Sequence, residues 1–296
     1  FGVRAKESVL DLPALFATAR RKPRARVKAA PKPISEVVAL ADFQIGKVGS
    51  RGGTPELIER LEEVKLKLAE RLRQNKPERI FIAEVGDLFE GFESGGNPMF
   101  TNDLSLAEQM DTAATILYDF VELAHKYAPV DVAGVSSNHT AWRAGKMQLG
   151  RPGDDLGLLV HKNVQRVAQA KGLDATWHFP AMYDEHVTVD VRDTRIGVVH
   201  GSQYGPGGAP LWWAKQQHGG QAIGSADILL TGHFHVLNIQ PSGRNPYTGR
   251  AKWWLQAPTS DNSSDWFRAR AGEDSDPGVL VFSVTDDGFD LQSLSV

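Results

Sequence analysis

The sequence predicts an α/β domain in which packed sheets and helices surround one core. Three observations carry this. From Ile34 onward, short apolar runs alternate with helical patterns. The second half of the chain is strand-rich, its apolar runs separated by turn residues. With 296 residues, 41% hydrophobic and 23% charged, the chain can bury one large core or two small ones.

Residues 1–33 stand outside that pattern. They hold nine basic side chains (Arg4, Lys6, Arg20, Arg21, Lys22, Arg24, Arg26, Lys28, Lys32) against Glu7 and Asp11. This is a strongly positive segment on a chain of net charge -3. Its RRKPRARVKAAPKP stretch reads as a proline-broken basic arm, either solvated or touching nucleic acid or a partner. Residues 34–296 are expected to form a single domain with loop insertions around its site.

Within 34–296, SEVVAL is the first predicted strand. Thr54 and Pro55 then open a helix with Leu57, Leu61, Val64, Leu68 and Leu72 on one face. RIFIAEV is a second strand, ending at Gly86 and Asp87. LSLAEQMDTAATILYDFVELAHKY is the longest helical pattern. VDVAGVSSNH is a third strand and its exit loop, and the segment near 154–171 is helical. HVTVDV, RIGVVHG, ADILLTGHFH, VLNIQP and AKWWLQAP read as successive strands, and PGVLVFSVTDDGFDLQSL as a closing hairpin.

Composition excludes several classes of function. With no cysteine there are no disulfides, thiolate metal sites or cysteine nucleophiles, which fits a reducing, cytoplasmic setting. No run approaches eighteen apolar residues, so no membrane span is expected. The mild net negative charge argues against a protein that coats nucleic acid over its whole surface, but it allows a local basic groove.

Five apolar runs end in potential ligands: Asp42 with Gln44, Asp87, Asn138 with His139, His200, and His233 with His235. Each alone is ordinary turn chemistry. Asp42 and Gln44 would share one side of a continuing strand, either to cap a turn or to offer two oxygens to a cation. Open α/β sheets place functional groups beyond the carboxyl ends of their strands, which gives the set its weight.

GDLFE (86–90), SNHT (137–140), HG (200–201) and GHFH (232–235) resemble, in order, the motifs of the calcineurin-like metallophosphoesterases. ADFQIGK takes the place of their first motif, usually Asp-x-His. The resemblance spans residues 37–235 and implies a four-layer αββα sandwich with two divalent metal ions. By the same resemblance, Asp42, Gln44 and His235 belong to the first ion. Asp87 bridges both and is catalytic, and Asn138, His200 and His233 belong to the second. His139 matches the residue that contacts the scissile phosphate and protonates or stabilises the departing group. Ser137 stands where the family usually has glycine.

Gln44 is the larger departure. An amide oxygen binds hard cations better than zinc-like ones. Manganese is therefore the expected metal, manganese and magnesium being favoured over tight zinc, with magnesium, zinc and iron as the alternatives. Gln44 is alternatively expected to bond the bridging water or the substrate, or its presence marks loss of the first ion. The implied chemistry is attack of a metal-bridging hydroxide on phosphorus.

DFQIGK, SNHTAWR and SDWFR…GEDSDPGVL further resemble a bacteriophage-type group related to DNA-repair nucleases, which would place the chain in a host cytoplasm. This favours a phosphodiesterase or nuclease acting on single-stranded nucleic acid or nucleotides. A small-molecule phosphomonoesterase and a metal-impaired binding module are the alternatives. Candidate substrate contacts are Arg143 and Lys146, for a non-scissile phosphate, and Trp212 and Trp213, stacking on a base from a flap at 202–220. The sequence leaves open whether the chain is a monomer or a homodimer.

Overall fold

The computed structural model describes residues 33–92, 102–144, 147–261 and 276–296, with isolated positions 11, 14, 17, 18, 268, 269 and 272. Pro33–Val296 form one compact unit and Phe1–Lys32 another. The basic arm and Lys146 lie outside the described residues, as does most of the glycine-rich loop after Asp87.

Six strands make the first sheet: β1 (Ser35–Leu40), β2 (Arg79–Glu84), β3 (Val130–Gly134), β6 (Ala175–His178), β12 (Leu280–Thr285) and β13 (Gly288–Ser295). Their order is β13-β12-β1-β2-β3-β6, with β1, β2, β3 and β6 parallel and the closing hairpin antiparallel. The second sheet has β7 (His186–Val191), β8 (Thr194–Val199), β9 (Ile228–Thr231), β10 (Asn238–Arg244) and β11 (Ala251–Gln256), in the order β10-β11-β9-β8-β7. Strands β4 (Arg143–Ala144) and β5 (Met147–Gln148) form a small separate hairpin.

Alternation along β1 explains why it is apolar throughout. Val37 and Ala39 face the second sheet, packing with Phe81, Phe282, Val198 and Leu230. Val38 and Leu40 face the other way, toward α1 (Thr54–Asn75), α2 (Leu106–His125) and α3 (Leu156–Ala170). A parallel strand buried on both faces has no polar side to show. The second sheet buries its outer face through Val199, Leu229 and Trp254 against Ala209 and Trp213 of α4 (Ala209–His218) and Ile223 beyond it. The layers are therefore helix, sheet, sheet, helix.

Each helix has a local cause. Asp155 caps α3 by accepting the Leu158 N–H at 3.0 Å, and Ser105 with Glu108 forms a capping box for α2. On α1, Leu57, Leu61, Leu68 and Leu72 are buried along one stripe.

The stretch after His200 departs from expectation. Part of the predicted flap is α4, and Trp213 is 1% exposed within the outer core. Its indole N–H donates to the Ile223 carbonyl at 2.7 Å, and the Lys252 ammonium lies 4.0 Å from its ring. Trp213 is a core residue and cannot stack on a base. Trp212 is half-buried against Tyr204, with ring centroids 5.6 Å apart. The signal was present in the sequence: an N-terminal proline followed by an uninterrupted helix-forming run. Replacing Trp213 with alanine is expected to lower stability by about 3–5 kcal/mol, measured by urea denaturation.

Candidate functional site

The strand exits β1, β2, β3, β8 and β9 open at one end of the two sheets and are bonded to each other there. The N–H groups of Asp42 and Gln44 donate to the carbonyls of Gly86 and Asp87 at 3.1 and 2.9 Å. Gly232 N–H donates to the His200 carbonyl at 2.9 Å. The two sheets are joined by the Asp42 carboxylate, whose oxygens accept the His233 N–H at 3.1 and 3.0 Å.

β1 ends at Leu40, so the period of two does not extend through Asp42 and Gln44. Both residues instead have left-handed backbone, with φ 49° and 43°. Asp87 (57°), His233 (70°) and His235 (60°) do the same, making five of the seven such non-glycine residues described. That conformation costs energy for residues with a Cβ, and its concentration here marks a site held by its surroundings. Two glycines make room. A Cβ on Gly86 would lie 2.6 Å from His200 Nδ1, and one on Gly232 would lie 2.5 Å from Asp42 Oδ2.

Three side chains of the expected set, Asp87, His200 and His233, offer ligand atoms that all lie within 4.8 Å of one another. The centre of convergence is His200 Nε2. It has Asn138 Oδ1 at 2.8 Å, Asp87 Oδ2 at 3.2 Å and His233 Nδ1 at 3.2 Å. His200 Nδ1–H donates to the Val85 carbonyl at 2.8 Å, so the other ring nitrogen faces the cluster. A nitrogen with at most one proton is thus faced by two oxygen acceptors and a second imidazole nitrogen. That donor set fits a divalent cation better than a proton.

Electrostatics lead to the same place. Burial opposes ionisation of Asp87, but the charges of His200 and His139, with hydrogen bonds from His200 and Ser137, hold its carboxyl well below the usual carboxylate range. Burial also opposes charge on His200, and the Asp87 carboxylate overrides it, raising His200 to about 9. Burial and the nearby His200 push His233 down to about 4, leaving its imidazole neutral.

The other expected residues surround this cluster. His235 Nε2 lies 3.5 Å from Asp42 Oδ1. The His139 N–H donates to Asp87 Oδ1 at 3.0 Å, and its ring Nδ1 lies 2.9 Å from the Glu90 carbonyl. Arg143 Nε donates to the Asn138 carbonyl at 3.1 Å, bracing that turn. Gln44 is 4% exposed, and its oxygen accepts from Lys47 Nζ at 2.5 Å. The amide expected among the metal ligands is thus engaged by an ammonium that sequence reasoning did not single out.

Supporting residues were also missed. Glu84, buried, accepts the Gly86 N–H at 2.7 Å and meets His161 Nε2 at 3.0 Å, fixing the turn that carries Asp87. Asp155, raised to about 6 by burial, accepts from Thr140 and from the Ser137 N–H. Ser137 Oγ accepts the Asp87 N–H at 2.9 Å, a bond no glycine at that position could make. Asp155 had a legible signal as a helix cap. Glu84 sits in an apolar run and had none.

Neither a family model nor a curated relative matches the chain. Among solved structures it is similar to Vps29 of Entamoeba histolytica complexed with zinc, at 14% identity and TM-score 0.40, covering 86% of this chain and 88% of that one. A single mutant of the same protein gives 13% identity and TM-score 0.39, with 88% and 96% covered. A conserved Streptococcus pneumoniae protein described as a predicted phosphoesterase gives 13% and 0.30 over 88% and 96%. At these TM-scores the likenesses carry no weight against the geometry above. No helix among the described residues is long and apolar enough to cross a membrane.

His200 sets a pH signature. Its folded value is raised from 6.5 to about 9, so its pairing with Asp87 stabilises the metal-free protein fully below pH 6.5. That contribution is lost as pH rises through about 9. A cation must displace the same proton, so its affinity should rise up to about tenfold per pH unit across this window. Opposite trends in metal-free melting temperature and in divalent-cation affinity are the expected result, read by calorimetry.

Proposed function

We propose that the chain is a metal-dependent phosphodiester hydrolase acting on single-stranded nucleic acid or nucleotides. The observation that carries this reading is the convergence of Asn138, Asp87 and His233 on His200 Nε2, with His139 bonded to the same Asp87. Asp87, Asn138, His200 and His233 would hold one ion, and Asp42 and His235, sharing Asp87, a second. Mn2+ suits this oxygen and imidazole set. Such ions, when bound, neutralise phosphate charge and lower the pKa of water.

The protein's own part is positioning. Asp87 orients the backbone of His139 and stays ionised at neutral pH. His139 is half-buried at the rim of the cluster, where it can meet the scissile phosphate. Arg143, bonded to the Asn138 carbonyl, would add positive charge against a neighbouring phosphate. The basic arm of residues 1–33 would help retain a polyanion.

The test is Mn2+-dependent hydrolysis of bis(p-nitrophenyl) phosphate against p-nitrophenyl phosphate, with Asp87→Asn as control. Diester turnover that exceeds monoester turnover and vanishes in the control supports the reading. A preference for the monoester would point instead to a phosphomonoesterase. His139→Ala is expected to lower kcat by about 10²–10⁴-fold, the range for a positioned acid or base.

A further inference from the structure

We infer that Gln44, Lys47 and Asp261 form a positioning relay that fixes the ring proton of His139 on Nδ1 and keeps its Nε2 bare. This goes beyond the reading of the site as a phosphodiesterase centre, and it does not require that reading to be correct.

The inference starts from one group with no choice. A lysine ammonium has three donors and no acceptor. Lys47 Nζ lies 2.5 Å from Asp261 Oδ2 and 2.5 Å from Gln44 Oε1. Asp261 is 3% exposed and Lys47 15%, so this pair is shielded from competing solvent. The atom of Gln44 facing the ammonium must be its oxygen, since an amide NH₂ there would set donor against donor. The opposite end of the same amide, Nε2, therefore faces His139 Nε2, at 3.3 Å.

An amide nitrogen only donates. For that contact to be a hydrogen bond, His139 Nε2 must be the acceptor and carry no proton. The single ring proton then belongs on Nδ1. There it finds the Glu90 carbonyl at 2.9 Å and Glu90 Oε2 at 3.3 Å, both acceptors. Each link forces the next, from Asp261 through Lys47 and Gln44 to the imidazole. The Asp87 carboxylate does not compete for Nε2: its Oδ2 lies 3.9 Å away, beyond hydrogen-bond range.

The loop that bears Asp261 is itself tied to the site. Thr259 Oγ1 donates to the Asp42 carbonyl at 2.8 Å, and the Asp261 N–H donates back to Thr259 Oγ1 at 3.0 Å. Ser260 N–H donates to the Ala41 carbonyl at 3.1 Å. The residues that set the proton on His139 thus come from the same turn as Asp42 and from a loop bonded to it. Gln44 acts through His139 as a positioning residue, and its amide oxygen serves Lys47.

The experiment is ¹⁵N-histidine NMR of the full chain, with His139 assigned by loss of its signals in His139→Gln. The wild type is expected to show a bare Nε2 and a protonated Nδ1 at this residue. Lys47→Met should mix the tautomers and lower turnover about 10–100-fold, the range for partners that orient a site imidazole. Lys47→Arg should restore the wild-type spectrum. Gln44→Glu keeps the side-chain shape but turns an acceptor toward the ring, so the proton should move to Nε2. This second variant decides the matter if Lys47→Met does not fold. Gln44→Ala should leave Mn2+ affinity unchanged.

A wild-type His139 protonated on Nε2 would overturn the inference. So would a tautomer unaffected by Gln44→Glu, or a bound ion lost in Gln44→Ala. The tautomer is read without substrate, so failure to hydrolyse diesters would count against the proposed activity and leave the relay standing.

Discussion

A buried carboxylate must be matched by donors or cations, and at 1% exposure Asp87 imposes that requirement on everything near it. The surrounding chain meets the requirement from several directions. His139 supplies a backbone N–H to one oxygen, and His200 brings an imidazole to the other. Ser137 holds the backbone of Asp87 itself. Behind them, Glu84 and Asp155 are buried acids whose own bonds fix the turns that deliver these groups. Removing one member would leave another charge or donor uncompensated, so the members are expected to be coupled.

The same logic joins the two halves of the sandwich. Apolar contacts between sheets are tolerant of small sliding, whereas the Asp42 carboxylate accepting the His233 N–H permits little. This bond sets the β9 exit against the β1 exit and so brings the histidines of one sheet to the aspartates of the other. Left-handed backbone at Asp42, Gln44, Asp87, His233 and His235 is the cost of turning five side chains into one small volume. The helices and both cores provide the rigidity that keeps those conformations occupied.

Much of this was legible along the chain. Apolar runs and their polar ends located β1, β2, β3, β8 and β9 and named the residues at their exits, because burial on both faces writes itself as continuous hydrophobicity. Trp213 was misread for a related reason: an aromatic pair between glycines reads as a loop when the face it buries is unknown. The short strand β6 and the hairpin β4–β5 were also missed, since so few residues carry too little periodicity to register.

The sequence by itself determined the layered α/β order, the strand exits and the identity of the side chains gathered there. Those are set by local pattern: alternation, helical stripes, caps and glycine turns. Only the tertiary structure decided which way those side chains face and what they touch. Lys47 and Asp261 are separated by 214 positions yet lie in contact, and together they orient the amide of Gln44. No local pattern encodes such a pair, because its energy comes from two charges meeting where water is excluded, and that meeting exists only once the sheets have closed.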